Sequence, residues 1–223
     1  MKSHLNHIKN KLEQRKSENA LRELKINENL IDFCSNNYLG FASELEIHSN
    51  EDIDQYGSTG SRLISGNHKI TEEVETFLAT YYKAASALIF NSGYNANLGL
   101  FSSLPQRGDT IIYDELIHAS IRDGIRLSNA NSFSFKHNDI TALEDKIKNA
   151  KGHIWVAVES IYSMDGDEAP LKQLVDFCKK YDAALIVDEA HACGVFGEKG
   201  DGLVVEYGLE NEVFARVVTF GKA

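Results

Sequence analysis

Cysteine is scarce in this chain of 223 residues. Cys34, Cys178 and Cys193 make an odd number at wide spacings. That excludes a disulfide framework, offers no zinc-ligand spacing, and fits a polypeptide of the reducing cytoplasm. Proline is confined to Pro105 and Pro170, and no repeat or low-complexity tract interrupts the sequence. No apolar run approaches the length of a membrane span, and the polar first residues do not read as a signal peptide. Positive charge is also short: 23 Lys and Arg stand against 33 Asp and Glu, for a net charge of −10. A nucleic-acid binder needs cations clustered against phosphate, so that class is disfavoured. The basic residues that do cluster, Lys2, Lys9, Lys11, Arg15 and Lys16, are mixed with Glu13 and Glu18 and read as a solvated helix face.

What is present is ordinary globular material. Hydrophobic residues make up 43% and charged residues 25%. The length allows one large core, or one domain plus part of another. Leu5, Ile8 and Leu12 lie at helical spacing, followed by Leu21 and Leu24, which predicts a helical arm over residues 1–29. Residues 30–223 read as one large domain. A short strand at 31–34 runs into the turn-forming Ser35-Asn36-Asn37-Tyr38-Leu39-Gly40, and two further loops follow at 56–62 and 65–67.

From Ile70 onward, helices and strands alternate. Strands are predicted at 87–90, 110–113, 133–135, 154–158, 184–187 and 214–219. Helix faces are marked by Val74, Phe77 and Tyr81, by Ile117, Ile121 and Ile125, by Leu143 and Ile147, and by Leu171, Leu174 and Cys178. Another helix opens after Ser92-Gly93-Tyr94. Near-continuous apolar strands joined by helices predict a three-layer α/β/α domain with a mainly parallel sheet. Such sheets bind ligands beyond the C-terminal ends of their strands. Ser92 and Gly93, Asp114, Glu159, Asp188 and His191, then Thr219 and Lys222 sit at those ends.

Asp188-Glu189-Ala190-His191 has a well-known competitor, a helicase motif whose carboxylates serve magnesium and ATP. That reading needs an upstream G-x-x-x-x-G-K-[ST] loop. The only Gly-Lys pair is Gly221-Lys222, and it is followed by Ala. Strand ends that deliver Asp, His, Thr and Lys instead suit pyridoxal phosphate. Asp keeps the pyridine nitrogen protonated, Lys forms a Schiff base, and hydroxyls and amides hold the phosphate. Asp188 capping a turn is the plainer alternative, but Lys222 favours the cofactor. His191 reads either as a structural histidine or as a partner of the cofactor's phenolic oxygen. His118 reads either as a helix cap or as a ring stacked on the cofactor with an acid–base role. Ser92-Gly93-Tyr94 opens a helix whose amides and dipole suit a phosphate. His153 and Trp155 read as packing, and no functional case arises for His4, His7, His48, His68 or His137.

Several segments together resemble the α-oxoamine synthases, pyridoxal phosphate enzymes of the large aspartate-aminotransferase-like fold. They are residues 35–40, the 57–67 loop Gly-Ser-Thr-Gly-Ser-Arg-Leu-Ile-Ser-Gly-Asn, and Ser163-Met164-Asp165-Gly166-Asp167. To these add Asp188 to His191 with Gly194-Val195-Phe196-Gly197, and Thr219-Phe220-Gly221-Lys222-Ala223. Together they cover nearly all of residues 30–223. The resemblance implies that Lys222 carries the cofactor as a Schiff base and Asp188 pairs with the pyridinium nitrogen. It puts His191 and Ser163 at the phenolic oxygen, His118 on the ring face and Glu159 at the ring's edge. Thr219 and Ser92-Gly93-Tyr94 would hold the phosphate, and Asn36 would lie near the amino-acid carboxylate.

The family condenses a small amino acid with an acyl thioester and releases carbon dioxide. Residues 60–67 and 191–197 resemble most the branch that joins L-alanine to a pimeloyl thioester, on CoA or a carrier protein, in biotin synthesis. Cys193 stands where that branch implies Thr or Ser. The alternatives are glycine with acetyl, succinyl or another acyl thioester, serine with a palmitoyl thioester, or a non-catalytic module that only binds cofactor or a partner. The resemblance also implies a homodimer in which Arg62 and its loop serve the neighbouring site. It further implies strands and a small domain after the lysine, carrying an arginine for the substrate. A polypeptide of residues 1–223 alone is accordingly expected to be inactive.

Overall fold

The computed structural model describes residues 12–21, 61–63 and 66–222. The chain divides into two compact units, Met1–Ser35 and Asn36–Ala223. In the first, residues 12–17 are helical. The predicted strand at 31–34, the turn at 35–40, Asn36 and the first part of the 57–67 loop lie outside the described residues.

The second unit is built on strands β1 (Thr110–Asp114), β2 (Asn131–Phe135), β3 (Ile154–Glu159), β4 (Ala183–Asp188) and β5 (Ala215–Val217). They form one parallel sheet in the order β2-β1-β3-β4-β5. The helices are α1 (Lys69–Tyr81), α2 (Gly93–Ser103), α3 (Ala119–Leu127), α4 (Ile140–Ile147), α5 (Leu171–Lys180) and the short α6 (Leu203–Glu206).

Successive strand residues feed opposite faces, as the pleat requires. On one face Ile112, Val156, Val158, Leu185 and Val187 pack with Leu143 and Ile147 of α4 and with Leu174, Val175 and Cys178 of α5. On the other, Ile111, Ala157 and Ile186 pack with Phe101 of α2 and with Ile121 and Ile125 of α3. The result is the predicted three-layer α/β/α arrangement. Helices α2 and α3 touch closely at Gly124, where a Cβ would sit 2.9 Å from both the Asn97 carbonyl oxygen and Phe101 Cβ. Only glycine allows that approach, and the approach sets the height of Asn97 over the sheet.

Two predicted strands need correction. The run at 87–90 is in no ladder among the described residues, and Leu88, Ile89 and Phe90 are 72, 38 and 46% exposed. Four apolar residues read as a buried strand whether or not a pairing strand exists. Here the backbone amide of Ile89 donates instead to Glu75 Oε1 at 2.8 Å. The strand predicted at 214–219 is shorter, Ala215–Val217. Ahead of it the Phe214 amide donates to the Leu185 carbonyl of β4 at 2.8 Å, and the Phe214 ring meets Trp155 edge to face with centroids 5.2 Å apart.

Candidate cofactor site

Parallel register brings the chemistry to one rim. Glu159 is paired with Asp188 across β3 and β4, and Asp188 with Val217 across β4 and β5. Beyond that rim lies a cleft of about 220 Å³, whose wall includes Gly93, His118, Glu159, Asp188, His191, Thr219 and Lys222. Residues separated by up to 129 positions in sequence, Gly93 and Lys222, thus line one cleft, as the strand-end reading expects.

Asp188 is buried, and both its oxygens are held. Oδ1 accepts from the Ala190 amide at 2.9 Å, and Oδ2 accepts from Asn97 Nδ2 at 2.6 Å. Asn97 Nδ2 also reaches Ser120 Oγ at 3.0 Å. Sequence reasoning missed Asn97. Asn97 shares a face of α2 with Gly93, four residues earlier, but no local spacing ties it to Asp188, 91 positions away.

Lys222 Nζ lies 2.9 Å from His191 Nε2. Burial lowers the Lys222 pKa below its ordinary value, against the opposing charges of Asp188 and Glu159. Burial also lowers the pKa of His191, and the nearby Lys222 charge adds to this. A neutral imidazole nitrogen is then the acceptor for the lysine ammonium.

Glu159 is buried beside Asp188. Burial first, then the Asp188 charge, raises its pKa to about 7, while the amides of His118 and Ser163 and the Lys222 charge pull it down. Its Oε1 is buried with no hydrogen-bond partner. An unsatisfied carboxylate oxygen facing a cleft is a place where a ligand's donor gains most.

The start of α2 forms the far wall. Ser92 caps the helix, its Oγ accepting from Asn95 N at 3.1 Å and its carbonyl from Ala96 N at 3.0 Å. The Gly93 and Tyr94 amides belong to the first turn, where no intrahelical acceptor exists. A Cβ on Gly93 would lie 2.4 Å from Thr219 Cγ2, so the helix start and the Thr219 hydroxyl are pressed into one cradle. His118 caps α3, its Nδ1 accepting from Ser120 N at 3.2 Å. Its ring meets Tyr94 edge to face at 6.2 Å.

Three singled-out residues stand apart. Ser163 is exposed on the 160–169 loop and approaches the cleft through its backbone amide, beside Glu159. Asp114 is fully buried and turned to His137 and to the amides of Leu116 and Asn138. Arg62 makes a bidentate pair with Glu75 at 2.5 and 2.9 Å inside its own unit. Among the described residues, no group of three or more His, Cys, Asp or Glu could hold a metal, and no helix is long and apolar enough to cross a membrane.

The family model for aminotransferase class I and II matches residues 28–223. The chain belongs to that family. It is 43% identical over 217 residues to an 8-amino-7-oxononanoate synthase of Emericella nidulans, covering 86% of this chain and 52% of that one. A serine palmitoyltransferase structure with a pyridoxal phosphate internal aldimine superposes with a TM-score of 0.71 at 40% identity, covering 74% of this chain and 42% of that one. An 8-amino-7-oxononanoate synthase structure from Francisella tularensis superposes with a TM-score of 0.70 at 30% identity, covering 88% and 56%. The chain spans about half the length of the curated relatives it matches. Within its family it resembles the α-oxoamine synthases, it has their pyridoxal-phosphate-dependent fold, and its cofactor is pyridoxal 5′-phosphate. The cleft fits that cofactor: a held carboxylate, a half-buried amine, a glutamate with an unsatisfied oxygen and a helix start cradled on a threonine all line it.

Proposed function

We propose that the whole protein is a cytoplasmic homodimeric α-oxoamine synthase that joins L-alanine to a pimeloyl thioester. The observation that carries this is the Lys222 amine, held against His191 at the rim where Asp188 and Glu159 end their strands. Bound there, pyridoxal phosphate supplies an electron sink that acidifies the amino acid's Cα–H.

The chain's residues do the rest. Lys222 is the covalent anchor and, once displaced by substrate, the base. Burial lowers its pKa, so more of it is free amine near neutral pH. Asp188, pinned by Asn97 and Ala190, presents a fixed anion to the ring nitrogen. His191 orients the lysine amine and, with Ser163, would contact the cofactor's phenolic oxygen. His118 would stack on the ring, and Glu159 would bind at its edge. The α2 amides, Ser92, Tyr94 and Thr219 would hold the phosphate, and Asn36 the substrate carboxylate. A carbon–carbon bond forms between Cα and the acyl carbon as the thiol leaves with the C–S electrons. The carboxylate then departs as carbon dioxide, and Lys222 returns a proton to Cα.

The substrate pair follows from the likeness to 8-amino-7-oxononanoate synthases across the 60–67 and 191–197 segments. Serine with a palmitoyl thioester is the rival, because the solved structures that superpose include serine palmitoyltransferases. Thiol release by the full-length enzyme, measured side by side with alanine, glycine and serine, tests this. Alanine with pimeloyl thioester should be turned over fastest, and a clear preference for glycine or serine refutes the assignment.

A further inference from the structure

Outside the cleft, one part-buried polar cluster is unused by the chemistry above. His137 lies two residues past β2, between two carboxylates. Its Nδ1 is 2.9 and 3.1 Å from the two Asp114 oxygens, and its Nε2 is 2.6 Å from Asp167 Oδ2. Asp114 also accepts from the amides of Leu116 (2.8 Å) and Asn138 (2.9 Å), and Asp167 from Asn138 Nδ2 (2.8 Å). Each carboxylate thus collects several donors. A neutral imidazole has one N–H and one lone pair, so it would turn a lone pair to an anion. Asn138 Nδ2 also lies 3.3 Å from His137 Nε2, but the carboxylate oxygens at 2.9 Å from Nδ1 and 2.6 Å from Nε2 are the nearer partners and favour a proton on each. Glu115 Oε1 accepts the His137 amide at 3.1 Å, and the edge-to-face Tyr162 ring stays uncharged because burial raises its pKa.

Each carboxylate belongs to a segment that leads to a residue of the cleft wall, His118 or Glu159. Asp114 ends β1 and fixes the turn leading to His118: its carboxylate binds Leu116 N, and its carbonyl accepts from Ile117 N at 3.2 Å. Asp167 closes the 160–169 loop, whose ends are tied by Tyr162 N to the Asp167 carbonyl (3.0 Å) and Ala169 N to the Ser160 carbonyl (3.0 Å). The tip of that loop carries Ser163, whose amide faces Glu159. Asn138 reinforces the tie by donating to the Glu168 carbonyl at 3.2 Å.

We propose that His137, as a cation bridging Asp114 and Asp167, is a positioning residue that fastens the Ser163 loop to the end of β1 beside the cofactor cleft. The fastening is pH-dependent. Burial alone would lower the His137 pKa, but its hydrogen bonds to Asp114 and Asp167, and their charges, raise it above the ordinary 6.5. A raised folded value means the tie is complete below pH 6.5 and is lost as pH rises through the folded value. What Ser163 does once positioned rests on the proposed function, whereas the tie itself does not.

The test uses the full-length protein with bound pyridoxal phosphate. Ring ¹⁵N spectra, with the His137 signal identified by its loss in His137→Gln, should show two protonated nitrogens at pH 6. Hydrogen exchange at residues 162–168, corrected for the intrinsic rate, should lose roughly tenfold protection as that ring deprotonates. His137→Gln should hold the low value at every pH, while amides of residues 185–187 stay unchanged in both proteins. A neutral ring at pH 6, or loop protection that is flat with pH or equal in His137→Gln, overturns the proposal. Failure to label Lys222 with borohydride would reject the proposed function and leave this tie standing.

Discussion

Replacing Gly93 by Ala should damage the cofactor cradle, and a second substitution should repair it. The new Cβ would lie 2.4 Å from Thr219 Cγ2, about an ångström inside ordinary contact. Thr219 cannot rotate away freely, because a β-branched side chain has few χ1 choices and any turn also carries off its hydroxyl. The helix start or the threonine must move. Overpacking of this kind costs about 1–3 kcal/mol. Spent on the bound state, that weakens pyridoxal phosphate roughly 5- to 150-fold. After Cγ2, the nearest atom is Thr219 Cβ at 3.8 Å, an ordinary contact. Thr219→Ser removes Cγ2 and keeps the hydroxyl, so Gly93→Ala/Thr219→Ser should recover most of the affinity. The assay is a titration of cofactor into apo-protein, followed by absorbance, for the wild type, both single variants and the double variant. If Gly93→Ala binds within twofold of wild type, or the double variant is as weak as Gly93→Ala alone, the cradle reasoning is refuted.

Asp188→Asn should keep part of the cofactor binding but raise the barrier by roughly 3–4 kcal/mol, read as turnover, because an amide does not hold the ring nitrogen protonated. Near-normal turnover would make Asp188 structural. Asn97→Leu should lower turnover and cofactor affinity together, since it frees Asp188 Oδ2; an unchanged affinity would show that Asp188 needs no such support. Glu159 has a raised folded pKa, so its burial costs stability progressively as pH rises from 4.5 to about 7. Glu159→Gln should remove a slope of up to about 1.4 kcal/mol per pH unit in that window, seen as apo-protein denaturation against pH; an unchanged slope refutes the shifted pKa.

The layers were legible in the sequence because β1, β3 and β4 are apolar runs bounded by polar ends, and each end carries chemistry. The run at 87–90 misled for the same reason: composition reports that a segment is apolar, not whether a strand lies beside it. Lys222, Asp188 and His191 were legible from local motifs. Asn97 and His137 were not, since their meaning lies in partners 91 and 30 positions away, Asp188 and Asp167. Parallel register brings such pairs together, and no local spacing records it. Arg62, read as serving a neighbouring site, pairs with Glu75 within its own unit, a partner 13 positions away that no local motif records.

The central claim is that Lys222 is the anchor of a pyridoxal phosphate site. Borohydride reduction of the purified full-length protein, followed by proteolysis and mass mapping, tests it directly. The account predicts a stable pyridoxyl label on the peptide containing Lys222 and loss of the visible absorbance band on reduction. A label on another lysine, or protein that neither carries nor takes up the cofactor, would contradict it.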